Sequence, residues 1–344
     1  MSKIPAEHAD VVVASSVASI LVDEASQVWS GLALLLDAAF PRVTRLHLFG
    51  DDRQLPPSLS PGDKSASTLA ATASCRSLFD DARDGGVITH ALRVQHRMPL
   101  ALASFISHWC APPIPNKDPL VSLVSLVEFC FPPPLQNERV YDNRLISSPS
   151  MCPSPDAVLW LCTKSRQGVI PGSSSALNDG ESRAIHQLTA HIDGLAAFKH
   201  KSCVVITPFT GQRNLVEATC GSSSRNGGRW DVKTVDSFQG RECACMRQLV
   251  ALLASPVCLI LCLFRSIRAD VVILSLVRSD GIVGFLKDAR RANVMLSRAR
   301  QLTLVVGNQP LWAKVESPMW AAFATSFPVC ASLSDMQRRL SLRR

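Results

Sequence analysis

Apolar and polar positions along the chain fall into short β-rich runs separated by stretches of helical period. The runs are Asp10 to Val13, Ile20 to Asp23, Arg45 to Phe49, Ala157 to Leu161, Cys203 to Ile206, Val232 to Val235, Val271 to Leu274 and Leu302 to Val306. Strands alternating with helices in this way predict an α/β fold with parallel sheets covered by helices. The clearest helix begins near Asn178. Glu181, three residues on, completes a capping-box pattern, and Ile185, Leu188, Ile192 and Leu195 form one apolar face. No repeat at a solenoid period is present. The polar stretch Asp80 to Gly86 marks a boundary near residue 90. The segment Ala111 to Val140, with prolines at 112, 113 and 132 to 134, is hard to place in a sheet.

Length and charge sharpen this picture. The 344 residues suffice for about two domains, and 47% hydrophobic content supports buried cores. Lys and Arg outnumber Asp and Glu, 36 to 28, a formal charge of +8 that fits a polyanionic partner such as nucleic acid. The 12 Cys form no Cys-x-x-Cys pair and no zinc-ligand cluster, so they read as small buried hydrophobes in a reducing compartment. MSKIPAEHAD lacks an apolar signal core, which leads us to expect an intracellular protein. The apolar run Leu249 to Phe264 is broken by Ser255 and Pro256 and is shorter than the roughly 20 residues of a membrane span.

The chemistry-bearing residues cluster in six stretches. In LVDEASQ a strand runs directly into Asp23 and Glu24. That is the usual geometry of a nucleotide hydrolase, one carboxylate for a hydrated magnesium ion and the next for the attacking water. Alone, the pair reads equally as a strand end meeting solvent. RLHLF then leads into GDDRQLPP, placing Gly50, Asp51 and Gln54 on a loop at the same sheet edge. By itself that loop reads more simply as a turn. The second block supplies LRVQHRMP, VITPFTGQR, TVDSFQGRE and DARRANVMLSRAR. In the last, Arg291 and Arg298 lie seven residues apart and so nearly on one face of an expected helix, where they would be placed to meet phosphates or merely solvent.

Taken in series, these six stretches resemble motifs II, III, IV, the following Thr-Pro motif, V and VI of superfamily 1 helicases of the Upf1-like branch. Order and spacing agree from about Ala9 to Trp312. The resemblance implies two RecA-like parallel-sheet P-loop NTPase domains, the first incomplete, that use ATP and Mg2+ and hold a single strand of RNA or DNA. It implies further that Asp23 binds magnesium, Glu24 activates water and Gln54 senses the γ-phosphate. Arg97 and Arg298 would contact phosphates from the second domain. Gly50, Asp51, Gly240, Glu242 and Arg291 would complete the nucleotide site, with Glu242 on the ribose, and Thr207, Pro208, Thr234 and Ser237 would face the nucleic acid. Members work in cytoplasm and nucleus, with protein cofactors and no membrane, and a monomer is expected.

The chain departs from the family at three places. No G-x-x-x-x-G-K-[ST] occurs in the 344 residues, which leads us to expect a chain truncated upstream of LVDEASQ and a doubtful activity of its own. Segments 111–140 and 243–268 carry no motif, and the sequence on either side joins naturally without them, as in VDSFQGRE followed by ADVVILSLVRS. They read as intron translation or another artefact of the gene prediction, the alternative being surface insertions. The expected organisation is a partial first domain over 1–90, a second over 91–320 containing both segments, and a basic tail over 321–344.

Overall fold

The computed structural model describes residues 17–51, 53–57, 76–87, 89–91, 94–95, 98–109, 125–130, 146–147, 157–170, 172, 175–220, 230–236, 258–262 and 269–343, with backbone alone at 89–91, 94–95, 125–130, 146–147 and 258–262. The expected strand at Asp10 to Val13 lies outside them. The chain divides into two compact units, one of residues 1–93, 113–144 and 240–265, the other of residues 94–112, 145–239 and 266–344. Residues 113–140 and 243–265 of the two segments set apart by sequence are therefore grouped with the first unit.

That first unit is a five-stranded sheet. Its order is Cys258–Cys262, Ser19–Asp23, Arg45–Gly50, Ser125–Cys130, Thr89–Ala91. The first three strands are parallel, with Val22 opposite Leu48, and Ser125–Cys130 runs antiparallel to both of its neighbours. Two-residue alternation in Ser19–Asp23 turns Ile20 and Val22 into a core shared with Leu36, Leu48, Leu78 and Phe79. The expectation that Ala111 to Val140 stays out of a sheet is corrected here. Ser125–Cys130, SLVEFC, pairs along the full length of Arg45–Gly50 and ends just before the three prolines, which lack the N–H a ladder needs. Within the apolar run Leu249 to Phe264, Cys258–Cys262 forms an edge strand beside Ser19–Asp23.

The second unit has the wholly parallel sheet that the pattern predicts. Six strands run in the order Trp230–Thr234, Cys203–Thr207, Ala269–Ser275, Ala299–Gly307, Val158–Cys162, Val329–Cys330. Parallel strands with helices on both faces carry continuous apolar runs, and CVVIT is buried at every position. Leu159 and Leu161 join Ile185, Leu188, Ile192, Val216, Met336 and Leu340 in one core. The intervening Trp160 meets Phe323, 5.8 Å between ring centroids, in an aromatic cluster with Phe105, Phe327, Trp312 and Trp320. Among the described residues, no helix is long and apolar enough to cross a membrane.

The basic tail expected over 321–344 is also corrected, because this segment is packed. Helix Pro318–Ser326 buries Phe323, strand Val329–Cys330 closes the sheet edge, and helix Leu333–Ser341 buries Met336 and Leu340. Ser332 caps that last helix by accepting from the Asp335 N–H at 3.2 Å, and Arg338 and Arg339 pair with Asp335. Basic composition conceals an amphipathic helix whose apolar residues are four apart. Met336→Ala and Leu340→Ala should each cost about 2–5 kcal/mol in urea unfolding. A dispensable tail would show no change.

Candidate functional site

In the first unit, strand Ser19–Asp23 delivers Asp23 to its carboxyl end, and the chain turns at once into the single 3-10 turn Ala25–Gln27. Glu24 makes this turn in the left-handed region, φ 53° and ψ 39°. A non-glycine residue rarely adopts that conformation, and such strain gathers at functional sites. The Glu24 N–H donates to Asp23 Oδ1 at 2.9 Å, and the Gln27 amide donates to Glu24 Oε2 at 3.2 Å. A backbone N–H thus holds the Asp23 carboxylate and a side-chain amide that of Glu24.

Strand Arg45–Gly50 brings the second stretch to the same edge. A β-carbon on Gly50 would stand 2.9 Å from Ser26 N and 3.2 Å from the Phe79 ring, so only glycine lets the strand end approach the turn this closely. Asp51 and Gln54 follow, both buried. Asp51 accepts from the Arg53 N–H through Oδ1 and from the Gln54 amide through Oδ2, each at 3.0 Å. The structure therefore gathers Asp23, Glu24, Gly50, Asp51 and Gln54 at one edge of one sheet. No group of three or more His, Cys, Asp or Glu suited to a metal occurs among the described residues. This donor set fits magnesium, which keeps most of its waters and takes one or two carboxylates.

In the second unit Thr207 and Thr234 end adjacent parallel strands and stand opposite one another. Thr207 Oγ1 is buried with no hydrogen-bond partner, and Pro208 beside it is buried. Phe209 and Phe285 meet edge to face at 5.3 Å, with the Arg278 guanidinium over Phe209 at 5.2 Å and that of Arg291 over Phe285 at 5.4 Å. Arg291 also pairs with Asp236 at 3.2 Å. The expected common face of Arg291 and Arg298 is not formed. The helix is Ala289–Leu296, so Arg298 lies beyond its end, fully buried, with Nε donating to the Val294 carbonyl at 2.8 Å, while Arg291 is partly exposed. Arg97, Ser237, Gly240 and Glu242 lie outside the described residues.

A buried polar network behind this edge escaped sequence reasoning. Asn178 caps helix Asp179–Asp193 by accepting from the Glu181 N–H at 3.1 Å, as the capping pattern predicts. The Glu181 carboxylate, however, does not take the Asn178 backbone N–H: its Oε1 accepts from the Asn178 side-chain amide, at 3.5 Å. Its Oε2 accepts from Ser275 Oγ at 2.7 Å and from the Val277 N–H at 3.0 Å. Gln212 accepts from the Asn178 N–H at 2.6 Å and donates to the Asn178 carbonyl and to Ser275 Oγ at 3.2 and 3.0 Å. The Asn178 amide in turn donates to the Val277 carbonyl at 3.1 Å. Burial pushes the Glu181 carboxyl up to about 7, against the pull of these uncharged donors. The available signal was a Glu four residues before Ile185, on the face that the apolar spacing assigns to the core.

The family model described as an AAA domain matches residues 133–247 and 267–310. It passes over 248–266, inside the segment 243–268. The chain is 26% identical over 303 residues to the Regulator of nonsense transcripts 1 homolog of Drosophila melanogaster, covering 86% of this chain and 21% of that protein. It is 27% identical over 317 residues to the DNA polymerase alpha-associated DNA helicase A of Saccharomyces cerevisiae, covering 84% and 38%. Together these matches support a Upf1-like superfamily 1 helicase. The rat DNA-binding protein SMUBP-2 is 28% identical over 329 residues, covering 88% of this chain and 25% of that protein. The chain thus spans between 21% and 38% of the length of these curated relatives. The parallel sheet of its second unit has the RecA-like α/β character of this helicase branch.

Glu181 gives stability a definite pH dependence. Its carboxyl titrates near 4.5 in an unfolded chain and near 7 when folded, so the folded chain holds more protons between these values. Stability accordingly falls as pH rises through that window, by on the order of 3 kcal/mol from this group. Urea unfolding at pH 5 and pH 8 should show a loss in the wild type that is largely absent in Glu181→Gln. Equal losses in both would remove Glu181 as the cause.

Proposed function

We propose that the chain carries part of an ATP-dependent helicase or translocase that acts on single-stranded RNA or DNA. The observation that supports this best is the convergence at one sheet edge of the Asp23–Glu24 turn and the Gly50 to Gln54 turn, in a chain whose relatives are named helicases. Bound through Asp23, magnesium would neutralise the oxygens of the transferred phosphate. Glu24, oriented by its left-handed backbone and the Gln27 amide, would accept the proton of the attacking water. Gln54, whose amide already exchanges a hydrogen bond with Asp51, would switch that amide toward the terminal phosphate and report its loss. Positive charge from Arg97, Arg291 and Arg298 would favour the transition state, such an arginine contributing about 10³ to 10⁵ in rate when it reaches the phosphate. Hydrolysis would be coupled to movement of the two units.

Thr207, Pro208 and Thr234 would meet the nucleic-acid backbone. The unpartnered Thr207 hydroxyl supplies a donor for a phosphate oxygen. Grip of this kind is sequence-tolerant. We place the protein in cytoplasm or nucleus on the same reading.

A second reading, a non-catalytic nucleic-acid-binding protein, is favoured by one observation, the absence of G-x-x-x-x-G-K-[ST] from the 344 residues. Strand-stimulated ATP hydrolysis, measured beside Glu24→Gln, separates the two. The motor reading predicts weak hydrolysis that the substitution removes. Strand binding with no hydrolysis above the Glu24→Gln background would establish the second reading.

A further inference from the structure

The loop Leu276 to Lys287 follows the central strand Ala269–Ser275 and carries Arg278 against Phe209, the residue after Thr207 and Pro208. Its backbone is unusual. Val277, Gly281 and Gly284 all have positive φ, 66°, 80° and 63°. For a β-branched residue such as Val277 this is a true outlier, held only where the surroundings over-determine it. Those surroundings are the buried polar network. Glu181 Oε2 accepts the Val277 N–H and the Asn178 amide donates to the Val277 carbonyl, so both backbone polar groups of the strained residue are clamped by one helix terminus. Gln212 sits three residues beyond Phe209 on helix Thr210–Thr219 and joins the same clamp through Ser275 and Asn178. Farther along, Gln167 holds the Ser279 N–H and the Asp280 carboxylate, and the Trp320 indole donates to the Leu286 carbonyl at 2.8 Å.

We infer that Glu181 is a positioning residue for strand binding. Together with Asn178, its buried carboxylate locks the loop from Leu276 to Lys287 against the Thr207 to Phe209 turn, so that the two form one rigid surface for a single-stranded nucleic acid. The inference rests on the strand-binding reading given above. Glu181 touches no strand itself. It acts through Val277, which sets the direction of Arg278 and hence of the Phe209–Phe285 pair. A flat guanidinium on an aromatic face is a surface that both stacks with bases and donates to phosphates.

The test is strand affinity of the full chain, read by fluorescence anisotropy on labelled oligo(U) and oligo(dT) well below the unfolding temperature. Glu181→Ala is expected to weaken binding about tenfold, since a buried acceptor is lost and the loop is released. Glu181→Gln should restore affinity to within about twofold, because its carboxamide oxygen still accepts from Ser275 and Val277. Amide hydrogen exchange in Leu276 to Lys287 should speed up in Glu181→Ala and stay slow in Glu181→Gln. If Glu181→Ala fails to fold, Ser275→Ala, which removes one donor and keeps the carboxylate, should give the same pattern at smaller amplitude. Folded variants that bind both strands as tightly as the wild type, or that exchange this loop no faster, would overturn the inference while leaving the strand-binding reading intact. A wild-type chain that binds neither strand would overturn both.

Discussion

Everything chemical in this molecule depends on strands that run the same way. In a parallel ladder each strand delivers its carboxyl end to one edge, and the loops at that edge are the places where ligands meet an α/β sheet. In the first unit the parallel pairing of Ser19–Asp23 with Arg45–Gly50 puts Asp23, Glu24, Asp51 and Gln54 side by side. In the second, it lines up Thr207, Thr234 and the turn after Ser275. Gly50 makes the first alignment tight, because any β-carbon there would press on the Ser26 N–H.

The second constraint is satisfaction of buried polar groups. Glu181, Asn178, Gln212 and Ser275 are all buried. Isolated, each would be costly in an apolar core. Linked, they convert that cost into specificity, since only one arrangement of two helix termini and the strand end Ser275 satisfies them together. Strain at Val277 is held by the same bonds. A core of Leu, Ile and Val could support the sheet equally well but could not dictate where the next loop turns.

The legible parts of the fold were those whose information is local. Cys203–Thr207, Val158–Cys162, Ala269–Ser275 and Ala299–Gly307 stand out in the sequence because central parallel strands are apolar on both faces. The cap at Asn178 was likewise readable from a three-residue spacing. What could not be read depended on distant partners. Ser125–Cys130 becomes a strand by pairing with Arg45–Gly50, about eighty positions earlier. Glu181 reaches past its cap to Ser275, 94 positions away. Arg298 was placed with Arg291 by helical period, yet the helix stops at Leu296 and the next strand carries Arg298 into the interior. Residues 321–344 read as a basic tail because their charged residues are four Arg against one Asp, while two apolar residues four apart determine where they pack. In the candidate site, the adjacency of Asp23 and Glu24 was plain, but the left-handed turn that aims Glu24 has no sequence signature of its own.

The most direct measurement is the salt dependence of single-strand binding by the 344-residue chain. An edge that grips the backbone through hydroxyls, peptide N–H groups and arginines should show log affinity falling linearly with log salt concentration, by a slope of about 0.7 per neutralised phosphate. Oligo(U), oligo(dT) and mixed-sequence strands should share that slope. Affinity that is indifferent to salt, or confined to one base sequence, would contradict the account.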